Sequence, residues 1–190
     1  MNRILEGSYK DIVTNRLILR VMDFDDALEI SRLLNNYNIY KVTRILPFPY
    51  TEDDALAWIA GHKFGIKSDR VYNLAIVDKN TKELYGTVAL SNNKEDNNGE
   101  LGYWIGEEFW GKGYCTEAIN AILDFAFYEK GYNKVFARHF ESNIASGKVM
   151  QKVFMKKEGF FRNHIFKDGE FKNIVYYSIL KEEFVKKENM

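Results

Sequence analysis

A mixed α/β (α+β) chain is predicted by three features of the sequence: strand-like alternation, helical spacing of apolar residues, and one strong hairpin turn. Leu17, Leu19 and Val21 alternate with Ile18, Arg20 and Met22, and strand-like runs recur at 72–77, 84–90 and 100–105. Apolar residues return at helical spacing in Ala27, Ile30, Leu33 and Leu34, and again in Ala118, Ala121, Ile122 and Phe125. Near the C-terminus, Lys167-Asp168-Gly169 separates two β-rich runs, and Asp-Gly favours a two-residue hairpin turn.

Taken in order, the first strand stops at Asp23-Phe24-Asp25-Asp26, where Asp23 can cap the helix that follows. That helix ends near Asn35-Asn36, and residues 37–50 read as a loop in which Pro47 and Pro49 enforce extended chain. Thr51 with Asp54 forms a variant capping box and opens a second helix carrying Leu56, Ile59 and Ala60. Polar turns at 78–82 and at Asn97-Asn98-Gly99 join the next three strands into an antiparallel meander. A long, largely buried helix spans about 113–130, since Ile119, Leu123 and Phe127 broaden its apolar face. A strand at 134–140, a helix at 143–157 and a hairpin of 160–166 with 171–180 complete the order, and the charged tail 181–190 reads as a solvated end. No repeat, low-complexity tract or linker divides the chain, so residues 1–190 are expected to form one domain.

Composition narrows the function. Lys plus Arg equals Asp plus Glu at 27 each, so no net positive field draws the chain to nucleic acid or to an anionic membrane. Charges interrupt every apolar segment, so none approaches the roughly 20 residues that cross a bilayer. Cys115 is the sole cysteine, and residues 1–10 lack the apolar stretch of a signal peptide; a cytoplasmic location fits both. His62, His139 and His164 are dispersed without metal-ligand spacing, and no metal is expected. The neutral balance permits a homodimer and leaves monomer and dimer open.

The segment Glu100-Leu-Gly-Tyr-Trp-Ile-Gly-Glu-Glu-Phe-Trp-Gly-Lys-Gly-Tyr-Cys-Thr-Glu-Ala118 carries the chemistry: a strand, a glycine-bearing turn, then a helix. Gly111 and Gly113 let backbone approach a ligand, and the free amides and positive dipole end of the helix point to the same place, which suits a pyrophosphate. Two nucleotide motifs come close and fail. Gly106 to Lys112 spells G-x-x-x-x-G-K, but Gly113 replaces the magnesium-binding hydroxyl residue, which argues against a nucleotide-binding module. The dinucleotide fingerprint lacks its third glycine, because Thr116 stands there.

Trp110-Gly-Lys-Gly-Tyr-Cys115 resembles the pyrophosphate loop of the GNAT superfamily of acetyltransferases, and its continuation into Thr-Glu-Ala resembles the RimJ/RimL branch. The resemblance runs from Thr14 to about Leu180, through Arg16-Leu-Ile-Leu-Arg20, Pro49-Tyr-Thr51 and Asn143-Ile-Ala-Ser146. It implies a central twisted, mostly antiparallel mixed sheet, splayed between its fourth and fifth strands and flanked by about four helices. Pantetheine of acetyl-CoA would lie in the opening against the backbone near Trp104 and Ile105. The phosphates would meet Gly111, Lys112, Gly113, Tyr114, Cys115 and Thr116. Two positions depart from the pattern: Cys115 stands where Gly or Ala is usual, and Phe154 where Gly ends the helix after Asn143.

The implied activity is acetyl transfer from acetyl-CoA directly to an amine, most simply a protein N-terminal α-amine. About a tenth of an α-amine is neutral at pH 7, against about one part in a few thousand of a lysine, so the former needs less help. By resemblance Glu100 is the general base, with Glu107, Glu108 and Glu141 as competing carboxylates; Ile105 offers its amide to the thioester carbonyl. Ser146 hydrogen-bonds the departing thiolate, and both Asn143 and Ser146 can also cap the helix that follows. Cys115 reads as a loop residue rather than a nucleophile. Tyr37, Phe48, Tyr50 and Trp58 lie in segments that would cover the acceptor cleft without naming the acceptor. A small amine, polyamine or antibiotic acceptor is the rival reading, and a non-enzymatic coenzyme A sensor is the alternative of another class.

Overall fold

The structure, a computed structural model, describes residues 10–188. Eight strands form one sheet: β1 (Ile12–Val13), β2 (Leu17–Val21), β3 (Val71–Asp78), β4 (Leu84–Asn93), β5 (Asn98–Ile105), β6 (Lys134–Phe140), β7 (Lys156–Lys167) and β8 (Glu170–Leu180). Their order is β1-β2-β3-β4-β5-β6-β8-β7, and every neighbouring pair is antiparallel except β5 and β6. The parallel pairing runs from Asn98 opposite Lys134 to Leu101 opposite Ala137 and no further, although both strands continue. The sheet is therefore split at its centre, between the fourth and fifth strands counted from Leu17.

The helices are α1 (Ala27–Leu34), α2 (Tyr37–Tyr40), α3 (Glu52–Ala60), α4 (His62–Lys67), α5 (Tyr114–Asp124), α6 (Ile144–Lys152) and α7 (Lys181–Glu188). Both predicted caps form. Asp23 and Asp26 make a capping box on a single 3₁₀ turn that leads into α1, and Thr51 with Asp54 makes the second at α3. α5 packs under the sheet through Ile119, Ile122 and Leu123, all fully buried, each contributing about 1.5–3 kcal/mol by removal from water.

Several elements differ from the sequence reading. β4 runs on to Asn93 and β5 begins at Asn98, so the turn between them lies at 94–97 rather than at Asn97-Asn98-Gly99, and α4 follows α3 where no helix was expected. The long helix does not stay α-helical to residue 130: residues Phe125–Glu129 widen into a π-turn, closed by the Lys130 amide donating to the Phe125 carbonyl five residues back. The loop at 37–50 contains α2, capped by the Asn36 side chain, which accepts from the amides of Asn38 and Ile39. The helix expected to reach residue 157 stops at Lys152, and β7 begins at Lys156, four residues before the predicted strand. The described part of the tail is not a solvated end, because 181–188 coil into α7 and bury Phe184 against Phe127 and Tyr128 at ring distances of 5.1 and 6.1 Å; 189–190 lie outside the described residues. Apolar anchoring of one aromatic outweighs the charged composition that suggested solvent.

Candidate active site

The glycine-bearing loop leaves β5 at the open end of the split. Gly111 and Gly113 take φ of 75° and 82°, the left-handed region where a side chain is strained. Gly113 is the N-cap of α5 and no side chain among the described residues caps that end, so the first amides of the helix, which have no intrahelical partner, are left with the positive dipole end for an anion. A Cβ on Gly111 would meet nothing within 4 Å, so the loop leaves open space where a ligand can approach. These features fit a pyrophosphate.

The loop is held from outside by contacts that the sequence reading did not assign. Arg16, on the turn before β2, bonds Glu117 of α5 through Nε at 2.7 Å and the Lys112 carbonyl through Nη1 at 3.0 Å, and its guanidinium lies 4.6 Å over the Tyr114 ring. Thr14 adds a 2.7 Å hydrogen bond to the same carboxylate. Tyr114 in turn stacks on Tyr85 at 4.5 Å, and the Trp110 indole N–H donates to the Ile105 carbonyl at 2.6 Å. Lys112 folds its ammonium back to 5.5 Å from the Phe109 ring. Thr14 and Arg16 reach their partners on the loop and α5 across separations of 96 to 103 residues, which is why no local pattern reveals them.

On the far side of the split, Asn143 caps α6 and accepts from the Ser146 amide at 3.2 Å. The Ser146 hydroxyl lies 2.7 Å from the hydroxyl of Tyr103 on β5, and the Ser146 carbonyl accepts from that hydroxyl at 3.2 Å. Burial raises the Tyr103 phenol above its ordinary range, with the neighbouring Cys115 thiol adding to the effect, so it stays protonated. Burial likewise pushes the Cys115 thiol up to about 12, which removes the thiolate a nucleophile needs. His139 on β6 donates from one ring nitrogen to the Phe140 carbonyl at 2.7 Å, stacks on Tyr177, and sits close against Gly147.

Alternation along β5 turns Glu100 and Trp104 to the sheet face opposite Leu101, Tyr103 and Ile105. Glu100 is held by Arg138 of β6, at 2.7 Å from Nε and 3.3 Å from Nη2, and Arg138 also donates to the Tyr176 hydroxyl at 3.1 Å. Any amine or water that uses Glu100 must share it with that guanidinium. The three competing carboxylates are engaged elsewhere. Glu107 accepts from Asn36 and Asn38, Glu108 from Arg32, and Glu141 from Asn173. Only Glu100 of the four stands on a strand that borders the split.

The open end of the split is spanned by α2. On one side Asn36 and Asn38 grip Glu107, two residues past β5. On the other, the Tyr40 hydroxyl donates to Asp168 in the β7–β8 turn at 2.5 Å, and the Lys167 ammonium lies 3.7 Å over the Tyr40 ring. Tyr37 within α2 and Phe48 from the loop after it pack on Tyr40, at 5.9 and 5.2 Å. The sequence reading placed Tyr37 and Phe48 over the acceptor cleft but not Tyr40, the residue that meets the hairpin.

A separate cleft of about 660 Å³ runs beside α5, from Thr14, Gly113 and Thr116 to Asp124 and to Lys152 of α6. It adjoins the loop but not the split. Among the described residues no three His, Cys, Asp or Glu side chains gather as metal ligands, and no helix is long and apolar enough to cross a membrane.

Known proteins resemble this chain in sequence and in fold. The profile of the acetyltransferase (GNAT) domain matches residues 16–156. The uncharacterized N-acetyltransferase YnaD of Bacillus subtilis (strain 168) is 30% identical over 173 residues, covering 91% of this chain and 98% of its own. The ribosomal protein uS5-alanine N-acetyltransferase of Escherichia coli (strain K12) is 22% identical over 173 residues, 86% of this chain and 87% of that one. The crystal structure of ribosomal-protein-S5-alanine acetyltransferase from Vibrio fischeri superimposes with a TM-score of 0.81 at 20% identity, over 93% of this chain and 99% of that one. By the family profile and by its likeness to YnaD, the chain belongs to the GNAT family of acetyltransferases, which draw the acetyl group from acetyl-CoA.

Proposed function

We propose that this acetyltransferase moves the acetyl group directly onto a protein N-terminal α-amine, of the ribosomal-protein-alanine type, working as one domain in the cytoplasm. The observation that carries the reading is the split between β5 and β6 opening beside a left-handed glycine loop at an uncapped helix end. The single sheet running through the described residues supports one domain, and the lone cysteine fits a reducing compartment. The activities by which the Escherichia coli relative and the Vibrio fischeri protein are named favour an N-terminal acceptor.

Acetyl-CoA supplies the acetyl group on a thioester. Backbone amides of Gly113, Tyr114, Cys115 and Thr116 hold the phosphates, with Gly111 and Lys112 completing the loop. Ile105 presents strand backbone to pantetheine, with Trp104 next to it paired to Thr87 of β4, and the Ile105 amide polarises the thioester carbonyl in a site poor in water. Glu100 accepts the amine proton, directly or through water, while Arg138 fixes its orientation. A shared base of this kind suits an α-amine, of which about a tenth is already neutral at pH 7. Ser146 donates a hydrogen bond to the departing sulfur, and Asn143 holds the helix end that carries it.

Calorimetric titration with acetyl-CoA tests the site. The parent binds, and Gly113→Glu, which adds bulk and negative charge at the helix end, loses binding while keeping its circular dichroism. Incubation with acetyl-CoA and an alanine-terminated peptide then yields the α-acetyl product by mass spectrometry, and Glu100→Gln slows it by about a hundredfold. Absence of binding by the parent refutes the reading. Acetylation of spermidine with no product from the peptide would replace the N-terminal acceptor by a polyamine.

A further inference from the structure

Tyr103 stands two residues beyond the last β5–β6 pair, on the sheet face that carries Leu101 and Ile105. From there its hydroxyl crosses the split to Ser146, reaching both the side-chain oxygen at 2.7 Å and the carbonyl at 3.2 Å. The Ser146 amide is pinned from the other side by Asn143.

Counting protons shows what this contact controls. Tyr103 has one hydroxyl proton and Ser146 has one. If Tyr103 gives its proton to the Ser146 carbonyl, the serine proton can be spent on the phenol oxygen. If Tyr103 gives its proton to the serine oxygen, the serine proton is released toward a third acceptor, and the first bond polarises the second. An anion arriving in the split selects the latter arrangement. Cys115, the neighbouring thiol, does not compete as an anion because burial keeps it protonated.

We propose that Tyr103 is a positioning residue which, by donating to the Ser146 oxygen, aims the Ser146 hydroxyl at the departing thiolate of coenzyme A. The inference rests on the role given to Ser146 above and extends it to a residue that touches neither substrate. No bond is made or broken at Tyr103; its proton turns from one acceptor to another.

The test reads ionisation of the coenzyme A thiol in the binary complex, followed by ultraviolet thiolate absorbance against pH. It uses full-length parent, Tyr103→Phe, Ser146→Ala and the double variant, each saturated with coenzyme A, with affinity fixed by calorimetry. Phe keeps the buried ring and removes only the hydroxyl. The bound thiol should ionise about tenfold less readily in Tyr103→Phe than in the parent, the scale of one directed hydrogen bond to an anion. In the Ser146→Ala background the same substitution should change nothing further. Ionisation in Tyr103→Phe equal to the parent, or an equal added loss in both backgrounds, would overturn the proposal while leaving Ser146 its role. Parent-like ionisation in Ser146→Ala would remove the role of Ser146 and the proposal together. Loss of coenzyme A binding by Tyr103→Phe alone would make Tyr103 a structural post and also overturn it.

Discussion

His62 shows at the scale of one residue how burial becomes a dependence on pH. It is only 3% exposed, packs edge-on to Trp58 at 4.6 Å, and neither ring nitrogen has a hydrogen-bond partner among the described residues. Burial pulls its pKa down to about 4, against 6.5 in the unfolded chain. Between those values the unfolded chain holds a proton that the folded one refuses, so stability is complete above about pH 6.5 and is lost as pH falls toward about 4. With about 1.4 kcal/mol for each unit of pKa difference, the loss is on the order of 3 kcal/mol. Denaturant melts from pH 7 to pH 4 should show this fall, and His62→Phe should shrink it; an unchanged slope in the variant would clear His62 of the effect.

At the scale of an element, the end of α6 is instructive. The amide of Phe154 donates to the Gln151 carbonyl and that of Met155 to the Met150 carbonyl, the paired bonds of a Schellman motif. That motif needs a left-handed residue, and Phe154 supplies it at φ 66°. A phenylalanine in a glycine position thus still stops the helix, whose last residue is Lys152, five before the predicted end. Burial of Val153 and Met155 on either side holds the strained residue in place, with Phe154 itself 57% exposed. Phe154→Gly should therefore stabilise the fold by about 0.5–1 kcal/mol, less than the full left-handed penalty because glycine also loosens the unfolded chain. A lowered melting temperature would show that the phenyl ring contributes more than the backbone strain costs.

For the whole molecule, the decisive feature is that two half-sheets meet over four residue pairs and then part. α2 ties them at the open end, from Glu107 after β5 to Asp168 and Lys167 on the hairpin. A contact placed there governs what enters the split and leaves the glycine loop alone. Tyr40→Phe should thus change KM for the alanine-terminated peptide by several-fold and leave the affinity for acetyl-CoA, measured by calorimetry, as in the parent. Equal changes in both would show that α2 supports the loop as well.

The sequence by itself determined what depends on near neighbours along the chain. Alternation in β2 to β5, the capping boxes at Asp23 and Thr51, the Asp168-Gly169 turn and the glycine loop at 111–113 are all set within a few residues, and each was legible. The motif from Trp110 to Ala118 also pointed to the family, since a strand, a glycine loop and a helix end dictate an anion's place together. Tertiary structure alone decided the rest. Arg16 reaches Glu117, Arg138 reaches Glu100, Tyr103 reaches Ser146 and Tyr40 reaches Asp168 across separations of 38 to 128 residues. Phe184 likewise converts a charged tail into a docked helix. Such pairs obey no periodicity, because a side chain's partner across a sheet is chosen by strand order and register, and these emerge only when the whole core has packed.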